Sequence, residues 1–172
     1  MKRITWRAAM VKLDDFDKKL LVHLMEDASQ TNTAIARKLN VSDGTVRNRI
    51  QRLIELGVLR IVAIVDPWKI GHRHQLISGI EADLDKITEI AAALSEYSEV
   101  TYVSYTTGPY DLIMVSAFSS EEEMFHFLTE KLAKIKGIRH ISSSHVLKAV
   151  KQTFRYDQFL KDKEDLDMDG ES

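Results

Sequence analysis

The sequence predicts an α+β protein in two parts, a three-helix N-terminal domain followed by a C-terminal βαββαβ domain. Three observations carry this. Residues 13–56 hold three segments of helical apolar spacing joined by very short links. After Gly71 the period changes to alternating strands and helices. The order β-α-β then occurs twice in succession, so the second half echoes the first.

In the first segment, LDDFDKKLLVHLMED, the apolar positions Leu13, Phe16, Leu20, Leu21 and Leu24 fall at helical spacing. Asp14, Asp15 and Asp17 lie in its first turn, where the helix dipole favours negative charge. TNTAIARKLN is a short second helix with Ala34, Ile35 and Leu39 apolar, Thr31 or Asn32 as cap and Asn40 as stop. VSDGTVRNRIQRLIELG is the third, capped by Ser42 and ended by Gly57. The link Asn40-Val41 is so short that the second and third helices must cross sharply, as in a helix-turn-helix. VLRIVAIVDP is β-branched and apolar, and its composition predicts one or two short strands, a small wing or linker.

Beyond the Pro67-Trp68-Lys69-Ile70-Gly71 break, HQLISGIEADL alternates as a strand, with Leu76, Ser78, Ile80 and Ala82 on one face and Ile77, Gly79 and Glu81 on the other. DKITEIAAALSEY is a helix with Ile87, Ile90, Ala91 and Leu94 on one side. VTYVSYTTG and GPYDLIMVSAF are strands joined by a turn. SSEEEMFHFLTEKLAKI opens with serine and three glutamates, a strong helix start, and GIRHISSSHVLKAVK is the last strand. The expected fold class is therefore a winged-helix-like helix-turn-helix plus a ferredoxin-like domain. The expected boundaries are an N-terminal extension over 1–12, the helix-turn-helix over 13–60, a β linker over 61–73, the ferredoxin-like domain over 74–152 and an acidic tail over 153–172.

The net charge of -2 conceals an asymmetry. Residues 1–60 carry 12 Lys and Arg against 7 Asp and Glu, whereas residues 61–172 carry 12 against 19. A basic first half suits a polyanionic partner. No apolar run reaches the roughly 18 residues of a membrane span, and the basic start MKRITWRAAMVKLDD lacks the apolar stretch of a signal peptide. There is no cysteine. A cytoplasmic protein is expected.

On a helical wheel of residues 42–56, Val46, Ile50, Leu53 and Ile54 face the three-helix core. Gly44, Thr45, Arg47, Asn48, Gln51 and Arg52 face outward, and Arg49 lies at the flank. The outward face is basic and rich in hydrogen-bonding groups, with a glycine near its N-terminal end. Those are the needs of a helix entering a DNA major groove. Arg47, Asn48 and Gln51 can pair with adenine or guanine edges. Ser42, Thr45, Arg49 and Arg52 are placed for phosphates or for pinning the helix. Lys2, Arg3 and Arg7 could form an arm along the backbone or minor groove, or simply fray.

In TTGPYDLI, Gly108-Pro109 makes a turn and Asp111 opens a strand. A carboxylate beside free backbone amides could receive an amino acid, its ammonium on the carboxylate and its carboxylate on the amides. The same residues could equally be a hairpin turn with an aspartate cap. Ser142, Ser143 and Ser144 either line that pocket or face water. Of the six histidines, only His72 and His74 are two apart, and no cysteine or carboxylate cluster completes a metal set. Nothing resembles a nucleophile elbow, a phosphate loop or a dinucleotide fingerprint. Neither enzyme, metal nor cofactor is expected.

The stretch from Leu13 to Gly71, together with GPYDLI and GIRHISSSHVLK, resembles the leucine-responsive/asparagine-responsive (Lrp/AsnC, feast/famine) regulators over roughly residues 13–150. The resemblance implies a homodimeric transcription regulator that binds double-stranded DNA at a roughly palindromic operator. Its C-terminal domains pair through their sheets, often building octamers. It also implies an effector, usually an amino acid, bound between dimers near positions matching Thr107, Gly108, Tyr110, Asp111 and the serines 142–144. A second resemblance, to sirohaem decarboxylases of tetrapyrrole synthesis, implies histidine and arginine around substrate carboxylates; His72, Arg73, His74, Arg139, His140 and His145 are the residues available for it.

Overall fold

The computed structural model describes residues 11–153, 155, 156 and 160. The basic arm expected at Lys2, Arg3 and Arg7, and nearly all of the acidic tail, lie outside these residues. The chain divides into two compact units, one of residues up to Ala63 together with those from Gln152 onward, the other Ile64–Lys151. No helix among the described residues is long and apolar enough to cross a membrane.

The first unit holds α1 (Asp15–Glu26), α2 (Asn32–Leu39) and α3 (Asp43–Glu55). Each start is capped by a side chain. Asp14 Oδ1 accepts from the Asp17 N–H at 2.7 Å, Thr31 Oγ1 from Ala34 at 3.2 Å and Ser42 Oγ from Thr45 at 3.1 Å. Asn40 ends α2 in the left-handed region at φ 53, which turns the chain into α3 within two residues. Leu20, Leu21, Leu24, Ile35, Ala36, Val46, Leu53 and Leu59 form a common core, with Leu160 packed against it. Each fully buried leucine or valine of that core is worth about 1.5–3 kcal/mol. Ile54, expected in this core, is instead 40% exposed. Val46, Ile50 and Leu53 lie within about 60° on the wheel and fill the contact, whereas Ile54 falls at the arc's edge.

The one or two short strands expected in VLRIVAIVDP, residues 58–67, do not form, and the linker expected over 61–73 is not a β element. Leu59 turns into the core, but Ile61, Val62, Ile64 and Val65 are 51–66% exposed. A β-branched run becomes a strand only when another strand satisfies its N–H and C=O groups, and no strand among the described residues pairs with it.

The second unit is a four-stranded antiparallel sheet in the order β2-β3-β1-β4. The strands are β1 (His74–Ala82), β2 (Val100–Tyr105), β3 (Leu112–Phe118) and β4 (Ile138–His145). Helices α4 (Ile87–Glu96) and α5 (Glu121–His126) supply the β-α-β crossings. The alternation of β1 holds: Leu76, Ser78, Ile80 and Ala82 are buried, while Ile77 is 46% exposed on the opposite face. The β3 partners of Leu76, Ser78 and Ile80, namely Ser116, Met114 and Leu112, are buried with them, as is Phe118 opposite His74. Ile90, Leu94, Phe127 and Leu132 from the helices close this core. The single long helix expected after Ser120 widens into a π turn at Phe127–Lys131 and tightens to a 3-10 turn at Leu132–Lys134. In a regular α-helix, residues 127 and 132 would point about 140° apart. The wider turn lets Phe127 and Leu132 both reach the core, where they are 0% and 1% exposed.

Candidate DNA-binding and effector-binding sites

Helix α3 presents one open face. Ser42, Thr45, Arg47, Asn48, Gln51 and Arg52 are exposed on it. A Cβ added at Gly44 would meet only Ser42 Oγ, at 3.8 Å, so the N-terminal turn is open to close approach. The Ser42 and Thr45 hydroxyls are joined at 2.8 Å. Arg47 is held only loosely, with Nη2 3.5 Å from Asp43 Oδ2 and a side chain 68% exposed. Such an exposed pair at i,i+4 is worth about 0.3–0.5 kcal/mol and yields readily to a phosphate or a base. Gln51 Nε2 donates to Glu55 at 2.9 Å.

The other two arginines are placed differently. Arg49 Nη1 donates to Asp14 Oδ2 at 2.6 Å and to Asp17 Oδ1 at 3.0 Å, with its guanidinium 5.5 Å from the Phe16 ring centroid. Arg52 Nη1 donates to Asp17 Oδ2 at 2.8 Å. Asp17 is fully buried. The Asp17 backbone N–H and then the Arg49 guanidinium hold the Asp14 carboxyl below its ordinary range, and Asp14 in turn raises Arg49. Of the two roles open to Arg49 and Arg52 in the sequence, this is the geometry of pinning. The sequence read Asp14 and Asp17 only as dipole-favoured acids. Their spacing of three was the available signal of a capping box, and that box is present.

The second candidate site lies at one end of the sheet. Gly108 turns at φ 116 with open space where a Cβ would go. Thr106 Oγ1 donates to the Tyr110 carbonyl at 2.8 Å, and the Thr106 N–H to the Asp111 carbonyl at 3.0 Å. Thr107 and Gly108 are exposed, and Tyr110 and Asp111 half-buried. The β1–β4 register shifts between Glu81 and Ala82. There the Ala82 N–H turns to Asp111 Oδ2, at 2.8 Å. Arg139 Nη2 lies 3.4 Å from the same oxygen and Arg139 Nε 3.9 Å from Asp83. Arg139 also borders an open depression of about 260 Å³ lined by Leu132, Ile135, Ile138 and Ile141.

The three serines do not act as one patch. Ser142 and Ser144 pair with Gly79 and Ile77 on the outer face, whereas Ser143 pairs with Ser78 on the helix face and shares a 2.8 Å hydrogen bond with it. Gly79, not singled out in the sequence, has a clear reason to be glycine. A Cβ there would sit 2.4 Å from Tyr110 Cδ2, inside the van der Waals radius of the ring. The histidines spread out: His74 and His145 stack at 5.4 Å between centroids, and no group of three metal-ligating side chains occurs among the described residues.

Two family models match the chain. The AsnC-type helix-turn-helix domain matches residues 13–54 and the Lrp/AsnC ligand binding domain residues 75–156. An HTH-type transcriptional regulator of Pyrococcus furiosus is 34% identical over 141 residues, 81% of this chain and 95% of that one. A second from the same organism is 36% identical over 146 residues, 84% and 98% of the two chains. Among solved structures, AsnC of E. coli superposes with a TM-score of 0.76 at 25% identity, covering 83% of this chain and 97% of the other. A transcriptional regulator of Neisseria meningitidis, solved in complex with L-methionine, gives 0.76 at 25% identity, covering 83% and 95%.

Proposed function

The chain belongs to the Lrp/AsnC family of helix-turn-helix transcriptional regulators, and from that premise we propose that it binds a roughly palindromic operator as a homodimer, or an octamer built of dimers, under the control of an amino acid. The observation that carries the reading is the open face of α3. Arg47, Asn48 and Gln51 read base edges from it, while Ser42 and Thr45, with the bare backbone at Gly44, meet phosphate. A two-fold dimer sets two such helices one turn of DNA apart, about 34–36 Å.

Dimer formation is supported by the outer face of the sheet. Ile77 and Tyr102 are 46% and 52% exposed there, beside Ile113 and Val115. A lone chain leaves this apolar surface in water, and a second sheet removes it.

The effector site is the turn from Thr107 to Asp111, with Ser142 and Ser144 on the adjoining strand. Asp111 takes the ammonium group, and the backbone of the turn and Arg139 take the carboxylate. Bound methionine in the Neisseria regulator supports an amino acid as the class. By linkage the effector works only through unequal affinity for the DNA-competent and the other assembly. The decarboxylase alternative gains nothing from these relatives, which are regulators. A cytoplasmic location fits a DNA partner.

The test is binding of the purified protein to the DNA upstream of its own gene, at several salt concentrations, with and without an amino-acid mixture. Preference over random duplex, steep salt dependence and a change with the mixture are expected. Equal binding to both duplexes defeats the operator reading. Arg47→Ala is expected to flatten the salt slope by about 0.9 if it meets phosphate, or to cost about 1–3 kcal/mol at a single base pair if it reads guanine. Asn48→Ala is expected to relax discrimination by a similar amount at one position; unchanged ranking of sites would remove Asn48 from readout.

A further inference from the structure

We propose that Asp17 is the positioning residue of the DNA-reading helix: it ties the Arg49 and Arg52 guanidinium groups back to α1, so neither arginine is a phosphate contact. The inference rests on the DNA-binding reading above and narrows it. Three arginines on α3 look like one basic cluster in the sequence, and the structure separates them. Arg47 faces out on a loose pair, while Arg49 and Arg52 both end on one carboxylate with no solvent exposure of its own.

Asp17 uses both oxygens, Oδ1 for Arg49 and Oδ2 for Arg52. It stands at the third position of α1, where Oδ2 also lies 3.4 Å from the Asp14 N–H and the Asp17 N–H donates to Asp14. The first turn of α1 is thereby a rigid receptor. Arg49 and Arg52 are three apart, so they leave α3 on neighbouring parts of one flank. Two charged hydrogen bonds from one flank fix the rotation of α3 about its own axis. Apolar packing of Val46 and Leu53 alone tolerates sliding; directional bonds do not. Rotation sets which of Arg47, Asn48 and Gln51 meets which base. Pulling either guanidinium out to a phosphate would leave one oxygen of a buried carboxylate without its cation, which is unfavourable.

The experiment measures affinity and salt slope of the full chain on the upstream fragment and on random duplex of equal length. In Asp17→Asn, with the fold verified by circular dichroism, preference for the fragment is expected to fall about tenfold, the loss of one good base contact, with an unchanged slope on random DNA. Arg49→Ala and Arg52→Ala are expected to lose preference in the same way and keep the slope. Arg52→Lys, which keeps a cation for Asp17, is expected to lie closer to the wild type than Arg52→Ala. If Asp17→Asn does not fold, the Arg52 pair carries the test. A slope lowered by about 0.9 in Arg49→Ala or Arg52→Ala, or Asp17→Asn binding as selectively as the wild type, overturns the proposal. Wild-type protein without preference overturns the operator reading and this inference with it.

Discussion

Asp111→Ala is expected to lower thermal stability and abolish the effector response, whereas Asp111→Asn abolishes the response alone. The carboxylate has two uses in this fold. Its Oδ2 satisfies the N–H of Ala82, a residue with no solvent exposure, at the point where the strand register slips. Alanine leaves that donor buried and unpaired, at a cost of about 1–3 kcal/mol. For a domain of this size, that lowers the midpoint by about 5–15 °C. Asparagine keeps an oxygen for Ala82 and gives up only the negative charge. The pair with Arg139 contributes little to stability, since it spans 3.4 Å and Arg139 is 56% exposed. The charge matters for an incoming ammonium group. Thermal melts of both variants, with DNA binding in the amino-acid mixture, separate the two uses. Equal melting of Asp111→Ala and wild type would deny the structural role. A retained response in Asp111→Asn would place the ammonium elsewhere.

Gly79→Ala is expected to disturb both the effector turn and the dimer. Its methyl would overlap Cδ2, Cγ and Cε2 of Tyr110, at 2.4, 2.5 and 2.6 Å. Gly79 sits in an inner strand, in register with Ile113 on one side and Ser142 on the other, so the backbone has no room to retreat. The ring must move outward, away from the sheet. Overpacking of this kind costs about 1–3 kcal/mol. The displaced ring then stands proud of the face proposed to meet a second sheet. Sedimentation should show weaker self-association, and the melt a lower midpoint. In a Tyr110→Ala background the same glycine substitution should cost almost nothing, a coupling that a double-mutant cycle reads directly. Equal costs in both backgrounds would show that the ring is not what forbids a side chain.

Periodicity made most of the architecture legible. The alternation of Leu76, Ser78, Ile80 and Ala82 forecast which face is buried, and caps at Ser42 and Ser120 forecast helix starts that are present. What failed was partnership. The run Val58–Val65 has strand composition, but composition does not reveal that no strand among the described residues serves as its ladder partner. Arg52 lies outward on a wheel drawn for α3 alone; its partner Asp17 comes from α1, 35 positions earlier. The three serines read as one patch because they are adjacent, although period-two geometry already put Ser143 on the other face. Arg139 entered the sequence reading only as a possible decarboxylase residue, and nothing local shows that it closes on Asp111. Contacts between neighbours in sequence were readable, and contacts made by folding were not.

The chain does not end where its second unit ends. Leu160 returns to pack on the three-helix core, and the Tyr156 N–H lies 3.5 Å from Met25 Sδ of α1. Topologically the sheet unit is an insertion, spliced into the DNA-binding unit and anchored there by both of its ends. A helix-turn-helix expressed as residues 1–63 alone is missing a piece of its own core. A chain nicked once in the exposed stretch before Trp68 still has its two fragments sharing that core. The two units are thus joined by two covalent links, one between Ala63 and Ile64 and one between Lys151 and Gln152.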